Sequence, residues 1–498
     1  MTISEGATPE ELRAEGRYWI QAQKRLNVDR EVRHTNIAAF VAEHCADRLR
    51  FVEGLGWYRW TGTVWAATGD GGAALQAVTD ASEVLIERMR DSEEDRGWAA
   101  DVVGKMLNGR ERRVIVQEMA ALREFRSTVD EFDAARHLLS FANGTVDLRT
   151  GELHEHRPDD RLTQIAPVNY VPDAECPRWL RFVEEVFPGQ PEMHDYYQRF
   201  LGLCITGEIR DHLLGVWYGA HGRNGKGTTV RTMQAAFGES LIHEVDFSLY
   251  EGGRGKEPHT ETLAALRGAR MVVAQEGEPG TPMNTARLKK HSGGDRIQAR
   301  HLYGREFTFV PTFTLVLATN HLPEFAAGGA ALWARTKAVL FGEHFTGDRV
   351  DPELEPTIQG PEREGFAAWV VRGAMRYYAD GRLRDIDAVT EATAMHRDSV
   401  DPLKELVGEL FEYDDGCEVK RSEFNAALKQ WRDDNGDKSG KFAPGAVKRH
   451  LLSRGVYERQ KERVGWMYVG VRFPSDPASE PSDSDPEIYQ LHRDSEGA

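Results

Sequence analysis

The chain has 498 residues, 40% hydrophobic and 9% aromatic, with a formal net charge of -17. That length exceeds one ordinary hydrophobic core, and the apolar content suffices without disulfide or metal staples, so two to four domains are expected. The acidity excludes a surface that attracts DNA everywhere; any nucleic-acid contact has to come from local basic patches.

Cys45, Cys176, Cys204 and Cys417 are widely spaced with no CxxC pair, which reads as free thiols in a reducing compartment. No apolar run approaches the ~20 residues of a membrane span. The first 30 residues include no apolar stretch of signal-peptide length. A cytoplasmic location away from membranes is expected.

In chain order, residues 8–25 read as a short polar helix. Residues 51–66, FVEGLGWYRWTGTVWA, read as a hairpin whose Trp57, Trp60 and Trp65 are better explained by packing in a half-buried sheet than by ligand binding. Residues 70–140 are helix-rich, interrupted by the acidic run at 91–95. Residues 141–170 alternate like strands, with turns at Asn143-Gly144 and Thr150-Gly151. Beyond residue 177 the rhythm changes. LLGVWY (213–218), RMVVAQ (270–275) and FTLVLATN (313–320) are apolar runs of strand length separated by helical stretches, the pattern of a parallel sheet covered by helices. Residues 404–473 read as helix, helix, hairpin. The last 25 residues hold four prolines, seven acids and one arginine and are expected to be disordered.

Chemistry concentrates after the first of those strands. YGAHGRNGKGTTV (218–230) approximates the phosphate-loop template G-x-x-x-x-G-K-[ST] between a strand and a helix. Small residues there let backbone N–H groups face phosphate oxygens. Gly222 and Gly225 meet that need, and Lys226 would neutralise the β and γ phosphates. Two positions depart: Ala220 replaces the first glycine, with Gly219 one step earlier, and Gly227 stands where a hydroxyl should hold Mg²⁺. Thr228 and Thr229 follow and would supply it. Glu276 and Glu278 end the second strand, where a nucleotidase needs a carboxylate for Mg²⁺ and water. Asn320 ends the third. Arg335 follows in ALWARTKAVLF and would reach a neighbouring subunit's γ-phosphate. Each feature alone has a bland explanation in loops and turns; their order within about 120 residues is the signal.

These motifs resemble the superfamily III helicases of the phage and plasmid primase–helicase type, related to the poxvirus primase–helicase. GRNGKGT (222–228) resembles the family's NGK phosphate loop, and RMVVAQEGE (270–278) its acidic strand. The stretch from Leu288 to Phe325, with GGD, an Ala-Arg pair and TNHLP, resembles its longest signature. WARTKAVLF (333–341) matches the arginine segment, and FANGTVDLRTGEL (141–153) with CPRW (176–179) the domain that precedes the core. The resemblance covers roughly residues 50 to 470.

It implies an α/β protein with a P-loop AAA+-like helicase core at 176–400. An α+β N-terminal domain would occupy 36–175 behind a helical segment at 1–35. A winged-helix-like domain would lie at 404–473 and an acidic tail at 474–498. It implies ATP and Mg²⁺ as cofactors, a homo-hexamer, and single-stranded or forked DNA as partner. Gly219, Gly222, Asn224, Gly225, Lys226, Gly227, Thr228 and Thr229 would hold the nucleotide, with Thr228 and Glu276 on the metal. Glu276 and Glu278 would activate water, Asn320 would sense the γ-phosphate, and Arg335 would act from the adjacent subunit. If the chain is of phage origin, its compartment is the bacterial cytoplasm.

Two regions carry the positive charge DNA requires. Residues 284–305 hold six Lys or Arg against one acid. IQARHLYGREFTF (297–309) reads as a hairpin in which Lys289, Lys290, Arg300, His301 and Arg305 would track phosphates and Tyr303 would stack on a base. Residues 418–473 hold thirteen Lys or Arg against seven acids, with Lys448, Arg449 and Arg454 on the candidate reading helix; a protein-docking domain of the same shape is an equal reading. No strand with paired aspartates precedes residue 141, and Asp130 and Asp133 fall in a helical-looking stretch, so priming is expected from a separate primase or polymerase. Two rivals stay open: a DNA-binding replication initiator or scaffold with a structural ATP site, and a nucleotide-driven protein remodeller.

Overall fold

The computed structural model describes residues 33–69, 71–91, 96–252, 260–277, 282–302, 304–325, 330–400, 403–437 and 442–474. The expected helix at 8–25, most of the 91–95 run, Glu278, Tyr303 and the tail beyond 474 lie outside these residues. The chain is a mixed α/β protein. It divides into two compact units, one of residues up to 324 with 331–396 and one of 325–330 with residues from 397 onward.

The first unit opens on α1 (His34–Cys45), then β1 (Leu49–Val52), β2 (Gly56–Trp60) and β3 (Trp65–Ala67). Helices α2 (Gly72–Asp91), α3 (Arg96–Leu107) and α4 (Gly109–Ala121) follow, then β4 (Arg126–Ser127). The sheet runs β3-β2-β1-β4, the last pair parallel. Trp57 and Trp65 are buried, and Trp60 lies opposite Trp65 in register. Trp65 Nε1 donates to Pro158 O at 2.8 Å, so these tryptophans are packing residues. The helical expectation around Asp130 is corrected: only a 3-10 turn forms at Val129–Glu131. Asp133 sits in a left-handed conformation and accepts from Thr163 N–H at 2.8 Å and its hydroxyl at 2.6 Å, which ties two loops together.

A second small sheet, β7-β6-β5-β8, comprises β5 (Leu138–Phe141), β6 (Gly144–Asp147), β7 (Glu152–His154) and β8 (Ile165–Ala166). It shares one core with everything that follows in this unit, from Leu139 to Val389. Helices α5 (Pro177–Val186) and α6 (Pro191–Leu203) lead to β9 (Leu214–Tyr218) and α7 (Lys226–Phe237). Then come β10 (Ile242–Asp246), α8 (Thr260–Ala265), β11 (Met271–Gln275) and α9 (Thr285–Ser292). The expected hairpin at 297–309 is β12 (Ile297–Arg300) with β13 (Glu306–Phe309). After it lie β14 (Thr314–Thr319), β15 (Thr336–Leu340), α10 (Leu354–Gln359), α11 (Arg363–Asp380) and α12 (Asp387–Ser399).

The expected parallel sheet is present, five strands in the order β10-β11-β14-β9-β15. Its strands are buried along almost their whole length, which is why they read as continuous apolar runs rather than alternating ones.

The second unit contains β16 (Glu412–Lys420), α13 (Arg421–Asp434), α14 (Pro444–Ser453), β17 (Tyr457–Lys461) and β18 (Gly465–Arg472). Its antiparallel sheet runs β16-β18-β17 around a core that includes Phe411, Phe424, Leu451 and Tyr468. Two helices and a hairpin appear where expected. Strand β16 was not expected, because its exposed acids broke the apolar pattern.

Among the described residues no helix is long and apolar enough to cross a membrane. Cys45, Cys176 and Cys204 are buried free thiols; Cys417 is free and part-exposed.

Candidate functional site: a glycine-rich loop at the carboxyl edge of the sheet

Parallel α/β sheets bind ligands outside the carboxyl ends of their strands, and here the register decides which residues reach that edge. Tyr218 pairs with Thr319 on one side and Leu340 on the other, and Ala318 pairs with Gln275. Gly219, Asn320 and Glu276 therefore leave three adjacent strands at the same edge. Residues 219–225 cross from β9 to the start of α7, whose first N–H groups have no helical partners.

The loop is braced from within. Asn224 is 3% exposed, and its Nδ2 donates to Gly219 O at 3.3 Å and His221 O at 2.6 Å. A Cβ on Gly219 would lie 2.1 Å from Asn224 Nδ2 and 2.5 Å from Phe341 O, so the crowded position is Gly219. Ala220 is exposed and obstructs nothing inside the loop. Gly225 has φ +97°, and a Cβ there would lie 2.8 Å from Val186 and 2.9 Å from Phe182; only glycine meets both demands.

Lys226 is 6% exposed. Its ammonium donates to Gly219 O at 3.3 Å, Asn224 Oδ1 at 3.1 Å and Asn320 Oδ1 at 3.0 Å. All three acceptors are neutral. Burial pushes its pKa down from 10.5 to about 8. A buried ammonium with no counter-charge is costly unless an anion arrives.

Glu276 is exposed just past β11 and holds φ +64°. A non-glycine residue in that region is uncommon and marks a backbone held by its surroundings; its N–H reaches Ala318 O at 3.4 Å.

The two threonines differ. Thr229 is fully buried; its hydroxyl donates to Gly225 O at 3.1 Å and accepts from Tyr197 at 2.8 Å. It packs the helix and is not turned to the loop, which corrects its placement among nucleotide ligands. Thr228 donates to Glu355 at 2.9 Å, so in this structure its hydroxyl is committed to a carboxylate. Sequence reasoning missed Glu355, because it lies 127 positions away in a loop–helix segment without a motif.

Arg335 immediately precedes β15, whose first residue pairs with Leu214. It therefore stands at the amino edge of the sheet, roughly 20 Å from the loop along the strands. Its Nη1 donates to Lys289 O at 2.9 Å. Within one chain it does not meet Lys226.

On the hairpin, Ile297, Ala299, Phe307 and Phe309 face inward, while Arg300, His301 and Arg305 are exposed. His301 stacks on Phe307 at 5.3 Å. Leu302, 64% exposed, stands beside them. Lys290 is exposed and Lys289 half-buried on α9. In the second unit, Lys448 pairs with Glu458 at 2.6 Å and Arg454 with Asp398 at 3.0 Å, whereas Arg449 is exposed.

A family model described as "D5 N terminal like" matches residues 38–188. "Putative helicase L207/L206" of Acanthamoeba polyphaga mimivirus is 22% identical over 355 residues, 66% of this chain and 36% of that protein. "Putative helicase 022R" of Frog virus 3 is 25% identical over 288 residues, 43% of this chain and 29% of that protein. The chain belongs to the phage and viral primase–helicase-like family.

Another relative in that family, "Putative primase C962R" of African swine fever virus, is 24% identical over 225 residues, 44% of this chain and 23% of that protein. The chain thus spans about a third or less of the length of these viral relatives. Among solved structures, the apo A form of the NrS-1 C-terminal region is matched at a TM-score of 0.38 and 10% identity, over 61% of this chain and 78% of that one. A likeness that loose carries no weight for site geometry.

Proposed function

We propose that this chain is an ATP-dependent DNA helicase of phage or viral replication, built on a P-loop AAA+-like core that works as a homo-hexameric ring. The observation that carries the reading is Lys226, a buried ammonium surrounded only by neutral oxygens at the carboxyl edge of a parallel sheet. Such a charge is poised for phosphate.

The residues present fit ATP and Mg²⁺. The N-terminal N–H groups of α7 and Lys226 would take the phosphates. Mg²⁺ needs few protein ligands when phosphates supply the rest, and Glu276 at the strand end would be one. The bound metal would lower the cost of negative charge on the transferred phosphoryl group. Asn320, already bonded to Lys226, would report the γ-phosphate. Arg335, at the far edge, would serve only the neighbouring subunit's site. The exposed cations of the 297–309 hairpin would grip single-stranded or forked DNA, and a winged-helix-like second unit would add Arg449.

One observation favours a second reading, a DNA-binding initiator or scaffold with a weak or structural ATP site. Gly227 lacks a hydroxyl, and the next one, on Thr228, is held by Glu355.

The experiment that separates them is ATP turnover by the purified chain with and without single-stranded DNA, beside Lys226→Ala. DNA-stimulated turnover lost in the variant supports the helicase. Intact DNA binding with no turnover in either protein moves the scaffold ahead.

A further inference from the structure

Beside the loop lies a cavity of about 550 Å³, bounded by Gly225 and Thr228 below, Phe182 of α5 on one side, and Phe345, Leu354 and Glu355 on the other. Its size is that of a small-molecule site. Glu355 is its polar centre. The carboxylate accepts the Thr228 hydroxyl at 2.9 Å, Arg231 Nε at 2.9 Å and Arg231 Nη2 at 2.5 Å. The Arg231 bonds, before all else, hold its pKa below the ordinary glutamate value.

The unusual glycine of the loop has a part in this. A Cβ on Gly227 would stand 3.0 Å from Arg231 Nη1, so a serine or threonine there would crowd the guanidinium that holds Glu355. The segment carrying Glu355 is also tied to the loop directly. Phe345 N–H donates to Arg223 O at 2.8 Å, and His344 Nδ1 lies 2.7 Å from Gly222 O. Glu355 is thus a fixture of the loop's own framework.

We infer that Glu355 reads the sugar of the bound nucleotide, accepting its 2′-hydroxyl in place of Thr228, and makes the site selective for ribonucleotides over deoxyribonucleotides. This rests on the nucleotide reading above. The start of α7 takes phosphate oxygens. Thr228 is the third residue of that helix, so a group one hydrogen bond from its hydroxyl stands next to the end of the phosphate chain, where the sugar begins. A carboxylate only accepts hydrogen bonds. The partner it takes must be a donor, which excludes phosphate and fits a sugar hydroxyl. The walls of Phe182, Phe345 and Leu354 remain for the base. A site built to bond a hydroxyl rejects the analogue that lacks it, because its acceptor is left unpaired.

The test is calorimetric titration of the full chain with ATP and with 2′-deoxy-ATP, each with Mg²⁺. The wild type is expected to bind ATP at least about tenfold more tightly. Glu355→Gln, an isosteric change that spares the fold, should bring the two nucleotides within about twofold by weakening ATP. Thr228→Val removes the ligand-free partner of Glu355 and keeps the carboxylate; the preference should survive it. Equal affinities in the wild type, or equal losses for both nucleotides in Glu355→Gln, would overturn the inference. So would a change in the ratio of ATP to ITP with the ratio of ATP to 2′-deoxy-ATP intact, which would put Glu355 on the base amine. A folded wild type that binds neither nucleotide overturns the nucleotide reading itself, and this inference with it.

Discussion

Lys226 Nζ donates to Asn320 Oδ1 at 3.0 Å, so a residue at the start of α7 is tied to one at the end of β14. The two lie 94 positions apart in sequence. The bond uses a neutral acceptor where a carboxylate would have given the ammonium a permanent partner. A neutral acceptor leaves the charge available to an incoming anion.

Asn320→Asp tests that. The new carboxylate would neutralise Lys226 in the free protein and repel phosphate in the bound one. ATP affinity should fall more than about tenfold, the cost of one buried like-charge contact. The ligand-free protein should melt higher than the wild type, because the buried ammonium gains a partner. Fluorescence titration with labelled ATP and a thermal melt check the two halves separately.

The pKa of Lys226 sets a pH dependence with a definite sign. Its folded pKa of about 8 is below its ordinary 10.5. Below about pH 8 the lysine is charged in both folded and unfolded chains, and its burial costs stability in full. Between about 8 and 10.5 the unfolded chain holds more protons, so this residue's contribution improves as pH rises. The melting temperature of the wild type should therefore gain on that of Lys226→Met across this window. ATP binding should do the opposite. It requires the ammonium, so affinity declines above about pH 8 and binding takes up a proton there, measurable by calorimetry in buffers of different ionisation enthalpy.

Much of this site was legible in the sequence, and the reasons are physical. The strands of the five-stranded sheet are buried on both faces, so they stood out as apolar runs, and parallel register then placed their ends together. Gly225, Lys226, Glu276 and Asn320 were found that way. What sequence reasoning lacked was long-range pairing. Nothing local marks Glu355 as the partner of Thr228, and nothing local separates Thr228 from Thr229, which a 100° helical step turns in different directions. Strand β16 was missed because an exposed edge of acids carries no apolar alternation.

The departure at Ala220 is harmless in the structure, and the constraint falls on Gly219. Gly219→Ala should lose about 2 kcal/mol of stability or more through the clash with Asn224 and Phe341, and with it nucleotide binding. Ala220→Gly, at an exposed position, should change stability by less than about 1 kcal/mol. Chemical denaturation of both variants decides the point. A mild Gly219→Ala beside a severe Ala220→Gly would show the loop to be shaped differently.

Arg300 and Arg305 are exposed on the hairpin whose inner face is fixed by Ile297, Ala299, Phe307 and Phe309. Replacing both with alanine leaves that inner face untouched. Affinity for single-stranded DNA should fall, and the slope of log K against log salt should shrink by about 1 per arginine. ATP binding without DNA should be unchanged. An unaltered salt slope would remove the hairpin from the DNA path and favour the remodeller.

Arg335 gives the most direct test of assembly. It opens β15 at the amino edge of the sheet, while Lys226 lies at the carboxyl edge, so one chain cannot bring both to one phosphate. If Arg335 acts across a subunit interface, Lys226→Ala and Arg335→Ala should each abolish turnover alone. Mixed before assembly, they should recover part of it, because some interfaces then combine an intact lysine from one chain with an intact arginine from the next. Recovery depends on exchange of subunits, so the mixture is prepared by co-expression and its ATPase rate compared with each variant alone. Arg335 also holds the end of α9 through Lys289 O, so Arg335→Lys, which keeps a donor but loses the planar fork, serves as the control for folding. No recovery in co-assembled, folded mixtures would confine Arg335 to that structural bond and leave the site to be completed by some other group.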